Sequence, residues 1–136
     1  MIPAVHFVGK SGTGKTTLIE SVVVELKNKG YRVAVVKHAH HGFEMDKPGK
    51  DSWRFGQAGS DMVAISSPGR LAMLEKVDGE LDFDQVMIRL GDRFDIVIVE
   101  GFKQTSKVKI EVTGTEKGDD VAKIIDFLSS QIHQKS

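Results

Sequence analysis

The stretch Gly9-Lys10-Ser11-Gly12-Thr13-Gly14-Lys15-Thr16 decides the fold of this chain. It follows a short apolar run, Ala4-Val5-His6-Phe7-Val8, and precedes a segment whose apolar residues have helical spacing. A glycine, four residues and then Gly-Lys-Thr, set between a strand and a helix, is the pattern of a phosphate-binding loop. The sequence therefore predicts a nucleotide site at the first strand-to-helix junction.

Each residue type in this loop has a chemical role toward a phosphate. Gly9, Gly12 and Gly14 have no Cβ, so the loop can adopt positive φ and turn its N–H groups onto one anion. The helix that follows adds its positive dipole end. Lys15 can reach the β- and γ-phosphates, and the Thr16 hydroxyl can ligate Mg²⁺. The predicted nucleotide-binding residues are Gly9, Lys10, Ser11, Gly12, Thr13, Gly14, Lys15, Thr16 and Thr17.

The composition is typical of one globular domain over residues 1–136. Nineteen basic and nineteen acidic side chains cancel, so we expect no general affinity for nucleic acid or an anionic membrane. The lack of cysteine excludes disulfides and thiolate zinc sites and is compatible with a reducing cytoplasm. No apolar run reaches the roughly 20 residues of a membrane span, and we expect no signal peptide before the first strand.

Strand-like and helix-like segments alternate along the chain, which predicts a mostly parallel sheet flanked by helices. The predicted strands span residues 4–8, 32–37, 61–65, 71–74, 95–99 and 108–112, with helices after the phosphate loop, at 51–58, after Asp82 and around 121–128. The apolar run at 32–37 predicts a buried strand, and the alternation at 108–112 predicts a half-exposed strand nearer an edge of the sheet. Only Ser66-Ser67-Pro68-Gly69 separates the third and fourth strands, so these two are expected to pair antiparallel. The expected fold is an α/β three-layer sandwich of the P-loop NTPase type, a mostly parallel sheet with an antiparallel edge.

Two acidic residues are candidates for catalysis and for Mg²⁺ binding. Glu100 ends the most apolar strand, where phosphate-loop proteins commonly place an acid that orients the metal or its water. The alternative for Glu100 is a solvated carboxylate at a strand end. Asp46, in the long loop after the second strand, is a candidate for contact with Mg²⁺ or the attacking water, and it is equally compatible with a surface acid. Gly101 could let the backbone approach a γ-phosphate.

The long loop also begins with a cluster of histidines, His38, His40 and His41. Alternation along a strand would put His38 and His40 on the same side, which suggests a metal site. The sequence offers no obvious third or fourth ligand, so a role in binding phosphate or a partner is the favoured hypothesis.

Two further features bear on dimerisation and on base selectivity. Lys10 resembles the signature lysine of dimeric phosphate-loop ATPases and GTPases, which reaches a nucleotide across the dimer, although a solvated lysine explains it equally well. Glu116-Lys117-Gly118-Asp119 keeps the Lys and Asp of the Asn/Thr-Lys-x-Asp string with which GTPases bind guanine. The same four residues also suit a linker and a helix cap.

Three blocks of sequence together resemble the molybdopterin-guanine dinucleotide biosynthesis protein B (MobB) family. The first is the phosphate loop. The second is Lys37-His38-Ala39-His40-His41 with Asp46, Gly49-Lys50-Asp51-Ser52 and Ala58-Gly59, and the third is Val99-Glu100-Gly101-Phe102-Lys103. Ser60 replaces the family's second alanine after Gly59. Family members usually add a strand after the segment near residue 112, close to the nucleotide base, and this chain is too short for it.

The resemblance implies a cytoplasmic, GTP-binding protein that is at most a slow GTPase, uses Mg²⁺ and acts as a homodimer. It implies an accessory role in molybdenum cofactor biosynthesis, with two partners: the guanylyltransferase that joins GMP to molybdopterin, and molybdopterin or its guanine dinucleotide. Two alternatives share the loop and the sheet, a small-molecule kinase and a metal-delivery GTPase. The arginines do not cluster as a kinase lid would, and the histidines motivate the metal-delivery hypothesis.

Overall fold

The computed structural model describes residues 2–10, 12–39, 42–43, 47–102 and 108–134. Its elements in chain order are β1 (Ala4–Val8), α1 (Lys15–Asn28), β2 (Val33–Lys37), α2 (Asp51–Gln57), β3 (Met62–Ser67), β4 (Arg70–Glu75), α3 (Phe83–Leu90), β5 (Ile96–Glu100), β6 (Lys109–Glu111) and α4 (Gly118–His133). Contacts divide them into two compact units, Met1–His38 with Phe83–Ser136, and Ala39–Asp82. The assignment of residues 1–136 to one domain stays a prediction.

The first unit contains a four-stranded sheet in the order β2-β5-β1-β6, in which every pair of neighbours is parallel. Its central strands are buried on both faces because their side chains alternate between two apolar clusters. Ile96 and Ile98 of β5 pack with α1 and α4 on one face, whereas Val97 and Val99 pack with α3 on the other. The predicted α/β fold with a mostly parallel sheet is therefore confirmed.

The segment after the phosphate loop forms helix α1 because its sequence provides one continuous apolar face. Leu18, Ile19, Val22 and Leu26 are buried against the sheet, and their spacing of three and four residues places them on one side of the helix. Gly30, just beyond the helix, has a φ of 86° and provides the left-handed turn that ends it.

The position of β2 differs from the prediction of a buried strand. Within the described ranges, β2 pairs with β5 alone and is therefore an edge strand of the sheet. Val36 is buried, whereas Val35 is 51% exposed. The run of valines predicts a strand, but spacing along the chain carries no information about which strand lies at an edge. The predicted edge position of the strand near residue 110 is confirmed, since β6 ends the sheet on the other side.

The second unit contains α2 and the predicted antiparallel pair, which forms a two-stranded sheet of its own. β3 and β4 pair from Met62 with Glu75 to Ser67 with Arg70. A two-residue turn therefore connects them, and Gly69 has a φ of 78°, as a type II turn with proline before glycine requires. Among the described residues, no helix is both long and apolar enough to cross a bilayer.

Candidate nucleotide-binding site

The phosphate loop connects β1 to α1 at the carboxyl edge of the parallel sheet. Gly12 and Gly14 have φ values of 83° and 82°, a left-handed conformation that favours glycine. The Thr13 hydroxyl donates a hydrogen bond of 2.6 Å to the Lys10 carbonyl, and the Thr13 N–H donates another of 3.2 Å to the same oxygen. Gly14 is the N-cap of α1 and no side chain among the described residues caps it, so first-turn N–H groups are available to an anion.

Lys15 and Glu100 meet above this loop. The Nζ atom of Lys15, the first residue of α1, lies 3.4 Å from Oε1 of Glu100, the last residue of β5. The two side chains are 19% and 22% exposed, so both remain accessible to a ligand. The structure thus brings together the predicted phosphate-binding lysine and the predicted catalytic acid.

Thr16 and Glu100 also border one cavity of about 460 Å³ on the β2 side of α1. A hydroxyl oxygen and a carboxylate oxygen are hard ligands of the kind that Mg²⁺ prefers. These two residues therefore fit the role of metal ligands that the sequence predicts for them. Thr17, the next residue of α1, accepts a hydrogen bond of 3.2 Å at its carbonyl from the Ser21 hydroxyl.

Gly9 has a structural role that the loop pattern did not reveal. A Cβ on Gly9 would lie 2.8 Å from the Val112 carbonyl oxygen and 3.1 Å from the Thr13 hydroxyl. The segment after β6 approaches this closely because the Val112 N–H donates a hydrogen bond of 2.7 Å to the Val8 carbonyl. Glycine at this position therefore lets the phosphate loop pack against the chain that leaves β6.

The turn after β6 is a second neighbour of the phosphate loop, and the sequence pattern does not predict this contact. A Cβ on Gly114 would lie 3.0 Å from the Thr13 carbonyl oxygen, so this glycine also permits a close approach. The Glu116 carboxylate holds the turn by accepting hydrogen bonds from the N–H groups of Thr113 and Gly114 and from the Thr113 hydroxyl. These bonds, the one from the Thr113 hydroxyl above all, lower the pKa of Glu116.

The string Glu116-Lys117-Gly118-Asp119 leads from the turn after β6 into α4. The Lys117 N–H donates a hydrogen bond of 2.9 Å to the Asp120 carboxylate, and α4 begins at Gly118 with Asp119 in its first turn. This is the linker and helix cap that the sequence analysis named as the alternative to a guanine site. Base preference stays a prediction.

Gly101 lies against His38 at the carboxyl edge of the sheet. It has a φ of 93°, and a Cβ on it would lie 2.8 Å from the His38 carbonyl oxygen. The His38 N–H in turn donates a hydrogen bond of 2.9 Å to the Glu100 carbonyl. Glycine at 101 therefore has a packing reason, and its predicted approach to a γ-phosphate stays a prediction.

A row of four aromatic rings runs from His38 to the middle of the sheet. His38 packs on Phe102 with 4.8 Å between ring centroids, Phe102 on Phe83 at 5.7 Å, and Phe83 on His6 at 5.2 Å. His6 is only 2% exposed, and burial, helped by the charge of Lys109, lowers its pKa. His38 is thus held as part of an aromatic cluster.

Several predicted site residues lie outside the described part of the chain: Ser11, His40, His41 and Asp46. Their roles stay predictions. Within the described ranges, no three His, Cys, Asp or Glu side chains are grouped so that they could hold a metal ion. Lys10 is exposed, and its role across a dimer stays a prediction.

A parallel sheet whose first strand leads through a glycine-rich loop into a helix, with a lysine and a carboxylate meeting above the loop, defines a P-loop NTPase-like α/β protein. The model of the family described as molybdopterin guanine dinucleotide synthesis protein B (MobB) matches residues 4–129. The chain belongs to this family.

Individual relatives agree with this assignment. The molybdopterin-guanine dinucleotide biosynthesis adapter proteins of Haemophilus influenzae and Escherichia coli are 41% and 38% identical to it, over 80% and 81% of this chain. The matches cover 62% and 65% of those two proteins, so this chain spans less than two thirds of their length.

Solved structures give the same result for the fold. A crystal structure of molybdopterin-guanine biosynthesis protein B is similar with a TM-score of 0.76 at 30% identity, covering 96% of this chain and 99% of the other. Bacillus subtilis MobB is similar with a TM-score of 0.68 at 30% identity, covering 89% and 73% of the two chains.

Proposed function

We propose that this chain binds GTP with Mg²⁺ at its phosphate loop, hydrolyses it slowly at most, and is an adapter in the biosynthesis of molybdopterin guanine dinucleotide. We further propose that the chain acts as a homodimer in the cytoplasm. This homodimer assists the guanylyltransferase and binds molybdopterin or its guanine dinucleotide. Its main structural support is the ion pair between Lys15 and Glu100 above the phosphate loop. The relatives' names support the pathway.

The chemistry of nucleotide binding follows from the residues around that ion pair. The loop N–H groups and the positive end of α1 favour a phosphate chain. Lys15 has a flexible stem, so its ammonium group can turn from Glu100 to a phosphate oxygen. Thr16 and Glu100 would hold Mg²⁺, which when bound neutralises charge on the β- and γ-phosphates.

Hydrolysis requires a group that orients or deprotonates the attacking water. Among the described residues, Glu100 is the carboxylate that pairs with Lys15. Asp46 is the second predicted candidate. We assign the activation of the water to one of these two acids and favour Glu100, because its carboxylate lies 3.4 Å from the Lys15 ammonium group.

The test is a calorimetric titration of the full chain with GTP and with ATP, each in the presence of Mg²⁺. Binding of GTP at least about tenfold tighter than ATP is expected, because a site that hydrogen-bonds a base discriminates strongly against one lacking those groups. Equal affinities, or no binding of either nucleotide, would contradict the GTP assignment. A pull-down with the guanylyltransferase, with and without GTP, tests the adapter role separately.

A further inference from the structure

A cavity of about 460 Å³ lies between α1 and the edge strand β2, directly beside the phosphate loop. Its walls are mostly apolar and consist of Ile19, Val23, Val24 and Val35. Its volume is within the range of about 300–1,000 Å³ that is usual for small-molecule sites, which typically combine apolar walls with a few polar groups. The cavity is large enough for a ligand of one or two fused rings.

Two apolar side chains in the walls of the cavity are more than half exposed. Val24 on α1 is 56% exposed and Val35 on β2 is 51% exposed. An exposed apolar edge strand is a liability that proteins normally avoid with charges or a cover. Because one wall is a helix and the other a strand, the space between them suits a flat ring that both can contact.

The polar groups of the cavity are few and of both signs. Lys37 is paired in register with Glu100 at the ends of β2 and β5, and both line the cavity. Glu20 provides another carboxylate on α1. A matching ligand therefore has hydrogen-bond donors on its ring for a carboxylate and an anionic group for the lysine.

We propose that this cavity binds a pterin carrying an anionic substituent, next to the nucleotide. The amino and ring N–H donors of the pterin face the Glu20 carboxylate, its rings lie between Val24 and Val35, and its anionic group pairs with Lys37. The inference rests on the proposed function, since a protein handling molybdopterin needs a pterin site. Thr16 and Glu100 border both sites, so the two ligands would be held side by side.

A larger groove of about 710 Å³ between α1 and α4 is a poorer candidate. It shares Glu20 and Val24 with the first cavity, but among the described residues that line it Lys29 is the only cation, and none of them belongs to the nucleotide site. Lys29 therefore provides a matched control for Lys37.

The test uses the intrinsic fluorescence of pterins and the full chain. Carboxypterin, which is anionic, and methylpterin, which is neutral, are titrated with wild type, Val35→Trp, Lys37→Ala and Lys29→Ala. Val35→Trp fills the space between the walls and should weaken both probes at least about tenfold. Lys37→Ala should weaken carboxypterin about tenfold and leave methylpterin unchanged, because only the first probe has a charge-assisted contact to lose. Lys29→Ala should change neither.

Guanine has the same donor edge as a pterin, so a second experiment separates the two sources. Lys15→Ala weakens the proposed nucleotide site, and in this variant GMP should not displace carboxypterin. Displacement of the pterin by GMP in Lys15→Ala would overturn the pterin assignment in favour of a second guanine site. Probe binding that is insensitive to both Val35→Trp and Lys37→Ala, or no probe binding, would also overturn it.

The failure of this inference is distinguishable from failure of the proposed function. If GTP binds wild type and Val35→Trp equally while the pterins bind neither, the cavity assignment is wrong and the nucleotide site stands. If the pterins bind as described and GTP does not, the cavity assignment stands and the GTP proposal is wrong.

Discussion

Nζ of Lys15 lies 3.4 Å from Oε1 of Glu100, so the cation of the phosphate loop and the acid at the end of β5 form an ion pair across the site. The two side chains are 19% and 22% exposed, and the pair is therefore only partly screened by water. Glu100 keeps the lysine ammonium close to the loop. A phosphate entering the loop would compete with this carboxylate for Lys15, and the proposed nucleotide binding would then depend on the charge of Glu100.

Replacing Lys15 by alanine should remove most nucleotide binding without unfolding the protein. A charge-assisted contact contributes about 1.5–3 kcal/mol, so affinity for GTP should fall by about ten- to a hundredfold or more. The free energy of unfolding should change by less than about 1 kcal/mol, since the ion pair remains partly exposed. Calorimetry and urea unfolding measure the two quantities. Lys76→Ala, at an exposed lysine of the second unit, is the control, and unchanged GTP affinity in Lys15→Ala would refute the site assignment.

Replacing Glu100 by glutamine should separate hydrolysis from binding. Glutamine has a similar shape but cannot carry charge or accept a proton, so GTP turnover should fall by about a hundredfold or more. Affinity for GTP should change much less, because Lys15 is then free of its carboxylate partner. Single-turnover hydrolysis and a binding titration on the same variant give the comparison. Equal losses in both would make Glu100 a binding group instead.

Replacing Gly101 by alanine should lower the free energy of unfolding by more than the cost of the positive φ at this position. Its φ of 93° costs any residue with a Cβ about 1–2 kcal/mol, and the contact of 2.8 Å with the His38 carbonyl adds a clash with rigid backbone. Gly30 has a similar φ of 86° and no atom within 4 Å of an added Cβ, so Gly30→Ala is the matched control.

Urea unfolding of the two glycine variants gives the size of the clash. The loss in Gly101→Ala should exceed that in Gly30→Ala by about 1–3 kcal/mol, the usual cost of overpacking. If the two variants lose the same stability, the close approach of Gly101 to His38 does not constrain the fold.

The elements that the sequence predicts well are those set by neighbouring residues. The loop from Gly9 to Thr16, the apolar face of α1 and the turn at Pro68-Gly69 each depend on a short run of residue types. Their conformation follows from local sterics and from helical or strand spacing. The confirmed fold class follows from the order of these elements.

The features that the sequence does not predict depend on which strands become neighbours. β2 is an edge strand, and Val35 on it is 51% exposed. The contact between Gly9 and Val112 exists because β6 pairs with β1, although more than a hundred positions separate the two strands in the sequence. The turn held by Glu116 became part of the site's surroundings only through that pairing.

The buried imidazole of His6 should make the protein lose stability in mild acid. Burial and the charge of Lys109 lower its pKa below the ordinary value of 6.5, so below about pH 6.5 the unfolded chain binds a proton that the folded chain does not. The free energy of unfolding should therefore fall as the pH drops from 6.5 toward the lowered value. The lowered pKa of Glu116 acts in a separate window, because its contribution is lost only as the pH falls below 4.5.

The two windows can be assigned with one variant each. His6→Gln removes the titrating imidazole and should flatten the decline in stability that begins as the pH falls below about 6.5. Glu116→Gln should leave that range unchanged and alter the profile only in stronger acid. Urea unfolding across the pH range measures both. A decline of the same slope in wild type and His6→Gln would show that another group, and not His6, takes up the proton on unfolding.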